Sequence, residues 1–245
     1  MSKKNIYIEI KKEFNALIKD NDLLNEKVTI TARALNTEEA IGNPKRKNYP
    51  IVKGKEKLMQ AEYKGFYGQA FTDLPGSYDG TIADVLNLSL DSNYNRGVFI
   101  ATLNAIMNFL DKGENFIHCK NEEPENCSKE LVKYINKNYG NKKIALIGFQ
   151  PAFLENLSQN FHIRVLDLDN DKIGTKEYGI LIEDGEKNKE DVLKWCDIIV
   201  STGSSVVNQT IDNYILSDKP TIFYGTTIAG TASLLGLQRF CRYSK

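Results

Sequence analysis

The chain has 245 residues, 41% of them hydrophobic, and its 32 Lys and Arg balance its 32 Asp and Glu. That length holds one large domain or two modest ones of roughly 100–200 residues each, and the charge balance argues against a general polyanion binder, so no nucleic-acid partner is expected. No apolar run approaches the roughly 18–20 residues that cross a bilayer. The opening MSKKNIYIEIKKEF carries charges where a secretion signal needs an apolar stretch. Four cysteines in a chain of this size do not make a disulfide framework. The expectation is a cytoplasmic protein with reduced thiols and no membrane partner.

Along the chain, Ile10, Phe14, Leu17 and Ile18 keep helical spacing. VTITARA then alternates, with Val28, Ile30, Ala32 and Ala34 on one side, as a half-buried strand does. NPKRKNYP is a basic turn between prolines, and GFYGQAFTD reads as a further strand. DGTIADVLNL starts a helix, with Thr81 as N-cap and Asp84 three places on. These residues suggest a small α+β domain over 1–92.

Phe99, Leu103, Ile106 and Leu110 mark the next helix, after which strands and helices alternate. The strands are NFIHC, KIALIGF, HIRVLDL, GILIE, DIIVST and PTIFYG, and the helical segments are 124–138, 151–159, 188–195, 205–215 and 227–235. Short, nearly all-apolar strands between helices imply a mostly parallel sheet covered on both faces. The fold class expected is α/β, with a Rossmann-like doubly wound domain over 93–245.

The stretch HCKNEEPENC holds one of two histidines and two of four cysteines. On this reading His118 and Cys119 end a strand, where ligands of open α/β sheets bind. Neighbours on a strand point to opposite faces, so both ligate one metal only where the strand has ended. Cys127 shares a helical stripe with Leu131 and Ile135 and reads as core, whereas Cys119 is open between core and site. Glu122, Glu123 and Glu125 around Pro124 suit the positive end of a helix, so the acidic run has helix capping as an alternative to a ligand role. The chain has no C-x-x-C and no paired H-x-x-x-H, the spacings of structural zinc.

Other strand ends are polar. Gly148, Phe149 and Gln150 precede Pro151 but lack the second and third glycines of G-x-G-x-x-G, so NAD is not expected. Asp167 lies nineteen residues after Gly148, a spacing that suits a ribose-binding acid or simply the end of a strand. The D-x-D-x-D run there is not an EF-hand, because Lys172 stands where glycine is needed and Tyr178 where glutamate is. Thr202, Gly203, Ser204 and Ser205, with Asn208 one turn on, form a loop that binds anions or caps a helix, and Gly225, Thr226 and Thr227 repeat it. The first half contributes Arg33, Glu38, Glu39, Gln69, Thr72, Asp73 and Thr81, a solvated face unless it closes over these loops.

The words EEAIGNP, KGKEKLMQAEYKGFYGQAFTD, GTIADVLNL, HCKNEEPENC, IALIGFQPAFLENL, VLDLD, STGSSVVNQTID and IFYGTTIAG resemble, in order from about Thr31 to Cys241, a prokaryotic family of unknown function labelled "putative heavy-metal chelation". The resemblance implies an enolase N-terminal-like domain fused to a Rossmann-like domain, with a site in the cleft between them. It implies no enolase chemistry, whose machinery sits on a barrel that this chain lacks. Carried onto this chain, it implies cleft residues Glu39, Gln69, Thr72, Asp73, His118, Cys119, Glu122, Glu123, Gln150, Asp167, Thr202, Ser204, Asn208, Tyr224 and Thr226.

Three functions compete. The first is chelation of a transition metal or metal-containing ligand, with His118 and Cys119 as soft donors and Glu122, Glu123 and Asp73 as hard ones. The second is an enzyme or sensor for a small anionic metabolite or nucleotide, held by the Thr202–Ser205 and Gly225–Thr227 loops, with His118 as general base. The third is a non-catalytic partner in metal or cofactor assembly. Whether the chain is an enzyme, which ligand it takes and whether it forms a homo-oligomer stay open.

Overall fold

The structure is a computed structural model that describes residues 6–24, 30–53 and 56–245. Helix α1 (Ile6–Asp20) buries Ile6, Ile10, Phe14 and Ile18, one residue per turn of a single stripe. Strand β1 (Ile30–Ala34) follows; Val28 and Thr29, read as part of it, lie outside the described residues. Next come α2 (Thr37–Ile41), a 3-10 turn (Pro50–Lys53), β2 (Lys57–Tyr63), β3 (Phe66–Thr72), β4 (Tyr78–Gly80) and α3 (Ile82–Asn87). The four strands form an antiparallel sheet in the order β3-β2-β1-β4. Thr81 and Asp84 make the expected capping box on α3.

Helix α4 (Asn93–Phe109) is buried from Arg96 to Met107 and packs on β2, β3 and the last helix of the chain. It is buried on every side because it has neighbours on every side, and the polar residues it carries there, Arg96, Thr102 and Asn104, are buried with it. The contact is close: a Cβ on Gly68 of β3 would stand 2.0 Å from the Ala105 amide nitrogen.

The remaining elements are α5 (Glu123–Tyr139), β5 (Ile144–Ile147), α6 (Pro151–Ser158), β6 (Ile163–Asp167), β7 (Lys176–Glu177), β8 (Ile180–Asp184), α7 (Lys189–Trp195), β9 (Ile198–Thr202), a 3-10 turn (Gly203–Val206), α8 (Asp212–Ile215), β10 (Thr221–Tyr224), α9 (Ala229–Leu235) and β11 (Arg239–Phe240). They build a seven-stranded sheet ordered β11-β10-β9-β5-β6-β8-β7, parallel except for the β7/β8 edge pair. Counted in chain order, the six parallel strands run 3-2-1-4-5-6, the Rossmann arrangement, and its switch point lies between β5 and β9. Both faces are covered. Ile144 and Leu146 join the core under α5 and α6, while Ala145 and Ile147 face the core that contains α4.

Two sequence expectations change. NFIHC is not a strand. Among the described residues Ile117 exchanges backbone hydrogen bonds with Lys245 rather than with a strand of either sheet, and the His118 amide donates to the Gln69 side chain at 2.7 Å. His118 therefore sits on the loop between α4 and α5, not at a strand end. Residues 205–215 are not one helix, because Gln209 turns to a φ of 60° between the 3-10 turn and α8. Between β6 and β8, where the sequence predicts no helix, the chain forms turns and the short β7. Strand β2 was not read from the sequence at all.

Candidate functional site

A cavity of about 430 Å³ lies between the two sheets, beside the switch point. The ends of β5 and β9 form part of its wall. There Gly148, at a φ of 87°, has room only for hydrogen, since a Cβ would meet Thr202 Cγ2 at 2.8 Å. Tyr224 crosses above β5, its hydroxyl donating to the carbonyls of Ile147 and Gly148, each at 3.2 Å. Its ring packs edge-on to Phe153 at 4.7 Å, and both side chains line the cavity.

The sequence-derived residues divide into two sets. Thr72 and Asp73 reach the cavity from the end of β3, Gln150 and Asp167 from the ends of β5 and β6, and His118 and Cys119 from the α4–α5 loop. Thr202, Gly203, Ser204 and Asn208 line it after β9, and Tyr224 and Gly225 after β10. Glu39, Gln69, Glu122, Glu123 and Thr226 do not line it. Glu39 is committed to an exposed ion pair with Arg33 at 2.9 Å, which holds its carboxyl down to about 2. Gln69 is a support, with Oε1 accepting from the His118 amide and Nε2 donating to Gln60 at 2.8 Å. Glu122 accepts from the Lys45 amide at 3.0 Å and Glu123 from the Lys120 amide at 2.6 Å. Thr226 is buried, its hydroxyl without a partner.

Backbone amides at the first βα turn and one in the Thr202–Ser205 loop are held by nearby side chains. The Phe149 amide donates to Asp167 at 2.5 Å, the Phe153 amide to Gln150 at 2.6 Å and the Ser204 amide to Thr202 at 3.3 Å. Pro151 has no amide proton to offer. The carboxylate of Asp167 thus occupies the place where a phosphate would meet the first βα turn, and its other oxygen accepts from the Asp169 amide at 2.7 Å.

Several wall residues escaped the sequence reading. Glu56, just before β2, joins Asp73, Asp167 and Asp169 in the wall. Burial, then repulsion from Asp167, Asp73 and Asp169, pushes its carboxyl up to about 7. Burial raises Asp167 as well. Among the described residues the one cationic side chain on the wall is Lys172, which is paired with Glu177 at 2.8 Å and stands 4.2 Å from the centre of the Phe149 ring. Local spacing carried no sign of Glu56, because its neighbours in space come from β3 and from the loop after β6.

The other grouping is soft. Cys119, Cys127 and Cys241 all line the cavity with free thiols. Burial raises Cys119 well above the ordinary thiol value and lifts Cys127 to about 11. Burial lowers His118 to about 4, so its imidazole is neutral at pH 7; its Nδ1 is buried without a partner, and the ring meets Phe71 edge-on at 5.1 Å. Among the described residues no three His, Cys, Asp or Glu side chains are gathered closely enough to hold a metal ion. His118, Cys119, Glu122 and Glu123 therefore do not form a ready-made cage.

Residues 131–232 match the DUF364 family model, described as "Putative heavy-metal chelation". The matched stretch runs from within α5 to within α9 and includes Asp167 and the loops after β9 and β10. No curated protein matches the chain. A solved protein of unknown function from the DUF364 family of Pyrococcus horikoshii is similar with a TM-score of 0.54 at 14% identity, over 89% of this chain and 78% of that one, a likeness of fold. A DUF364 protein of unknown function from Desulfitobacterium hafniense DCB-2 aligns with a TM-score of 0.48 at 16% identity, over 74% of each chain.

Proposed function

We propose that the cavity binds a small ligand with a cationic centre, a transition or heavy metal carried in an organic chelate. The charge of the wall carries this reading. Glu56, Asp73, Asp167 and Asp169 line the space, and the one lysine among the described residues of the wall, Lys172, is already paired. Burial first, and then the neighbouring carboxylates, keep Glu56 protonated up to about 7. A cation entering there relieves the repulsion, whereas a phosphate or carboxylate adds to it.

Size and donor type support the organic part. A bare ion needs donors at roughly 2.0–2.6 Å on all sides, while about 430 Å³ suits a small molecule. The aromatic side chains of Tyr49, Phe71, Phe149, Phe153 and Tyr224 supply apolar wall for such a body. The unpartnered Nδ1 of neutral His118 and the Cys119 sulfur, which would bind as thiolate with its proton released to solvent, are donors that a borderline or soft metal accepts, and the carboxylates offset its charge. The description of the matched family points the same way. The nucleotide reading has the Rossmann strand order and the position of Asp167 in its favour, but at the first βα turn the Phe149 and Phe153 amides are taken.

Calorimetric titration separates the readings. Ni2+ carried by 2,2′-bipyridine is expected to bind more tightly than free Ni2+, and both more tightly than inorganic phosphate or AMP. Binding of AMP with no response to either nickel species contradicts the proposal.

A further inference from the structure

The segment between α2 and the 3-10 turn, residues 42–48, crosses from the antiparallel sheet to the helices of the parallel one. Its Pro44 lines the cavity, and its two anchors, Ile41 and Tyr49, line it too. The anchors belong to a small apolar cluster with Leu35, Ala40, Ile51 and Leu58, separate from both main cores. All members of that cluster come from residues 35–58, so the segment has its own apolar seat on the antiparallel side.

Its hydrogen bonds and ion pairs across to the other side are a short polar series. The Asn43 amide donates to Asn121 Oδ1 at 2.9 Å, the Asn121 amide returns a bond to the Ile41 carbonyl at 2.9 Å, and the Lys45 amide donates to Glu122 at 3.0 Å. The Tyr49 hydroxyl donates to Glu125 at 2.9 Å. Arg46 makes the strongest tie. Its guanidinium pairs with Glu125 of α5 and Glu155 of α6 and donates to the hydroxyl of Tyr178, beside β7. One side chain thus joins this segment to three separate elements.

Polar ties differ from apolar packing in how they open. Water replaces each broken hydrogen bond, so the net cost of release is small, whereas exposing a core is not compensated in this way. The closed arrangement also has a cost of its own, because Asn48 Oδ1 is buried there without a partner. The body beneath does not share this freedom. Asn104 of α4 is hydrogen-bonded to the Gln69 carbonyl of β3 and to the Gly230 amide of α9, which pins the two sheets around the cavity.

We propose that residues 42–48 are a gate over the cavity, latched by Arg46 on Glu125, Glu155 and Tyr178, and that lifting this segment is how the ligand enters. The gate regulates the site proposed above, but its geometry does not depend on which ligand binds. Cys119, Cys127 and Cys241 report on it from inside, and Cys196, fully buried and away from the cavity, is the internal control.

The test is the rate at which N-ethylmaleimide modifies each cysteine of the full chain in EDTA, read by peptide mass spectrometry. In Arg46→Ala the three cavity thiols are expected to react about tenfold faster or more than in the wild type, with Cys196 unchanged, as local opening requires. The milder Glu155→Gln keeps the shape of the side chain and is expected to give a smaller acceleration in the same three. Rates unchanged in both variants, or a rise shared equally by Cys196, overturn the gate. Because no metal or ligand is present, failure here leaves the cation-binding reading to its own titration.

Discussion

The carboxamide of Asn104, in the buried middle of α4, accepts from the Gly230 amide at 2.7 Å and donates to the Gln69 carbonyl at 2.8 Å. Its nitrogen also lies 3.2 Å from the carbonyls of Thr226 and Thr227. One polar side chain therefore sets β3, α4 and the start of α9 relative to one another, and with them opposite walls of the cavity.

Asn104→Leu is expected to destabilise the fold by about 3 kcal/mol, because it strands a buried amide and a buried carbonyl with no water to replace them. Urea unfolding checks the value. A loss near zero would mean that neighbouring groups take over the bonds.

The seat of α4 on β3 has an equally direct test. The added methyl of Gly68→Ala meets backbone, 2.0 Å from the Ala105 nitrogen and 2.5 Å from the Ala101 oxygen, so no side chain can yield to it. The expected cost is about 3 kcal/mol, read as a lower denaturation midpoint with an unchanged slope.

Two buried groups give opposite pH signatures. Glu56, raised to about 7, holds its proton in the fold after the unfolded chain has released one, so its contribution is present at low pH and is lost as pH rises through about 7. His118, lowered to about 4, refuses a proton that the unfolded chain takes near 6.5, so its contribution is present above that value and is lost as pH falls toward 4. Glu56→Gln is therefore expected to raise stability relative to the wild type most at pH 8. His118→Gln is expected to narrow the loss of stability between pH 6.5 and 4. Unfolding free energies measured across pH 4–8 show whether the two variants tilt the curve in opposite senses.

Much of this architecture is legible in the sequence. The Thr81–Asp84 box and the apolar strands from Ile144 onward declare themselves by local pattern, because capping and burial act over a few residues. NFIHC looks like a strand for the same reason, yet its apolar residues lie in a loop held by Gln69 and the chain end, partners that no local window contains. Asn104 reads as one polar position in a helix, and only the fold reveals its bonds to β3 and α9. The cavity wall divides similarly. Asp167 and Thr202 stand at strand ends where topology predicts a site, whereas Glu56 and Cys241 reach it from segments with no motif. Glu122 and Glu123 drew attention by composition, and the structure spends both on backbone amides. The boundary read at residue 92 places α4 with the second half, although its own packing is shared between β2, β3 and α9.

Native mass spectrometry with elemental analysis, on protein purified without tags or chelators, tests the central claim most directly. The account predicts an adduct that contains a transition metal together with organic mass, and that is lost from both Asp73→Asn and His118→Ala. A metal-free, phosphate-bearing adduct retained in both variants would contradict it.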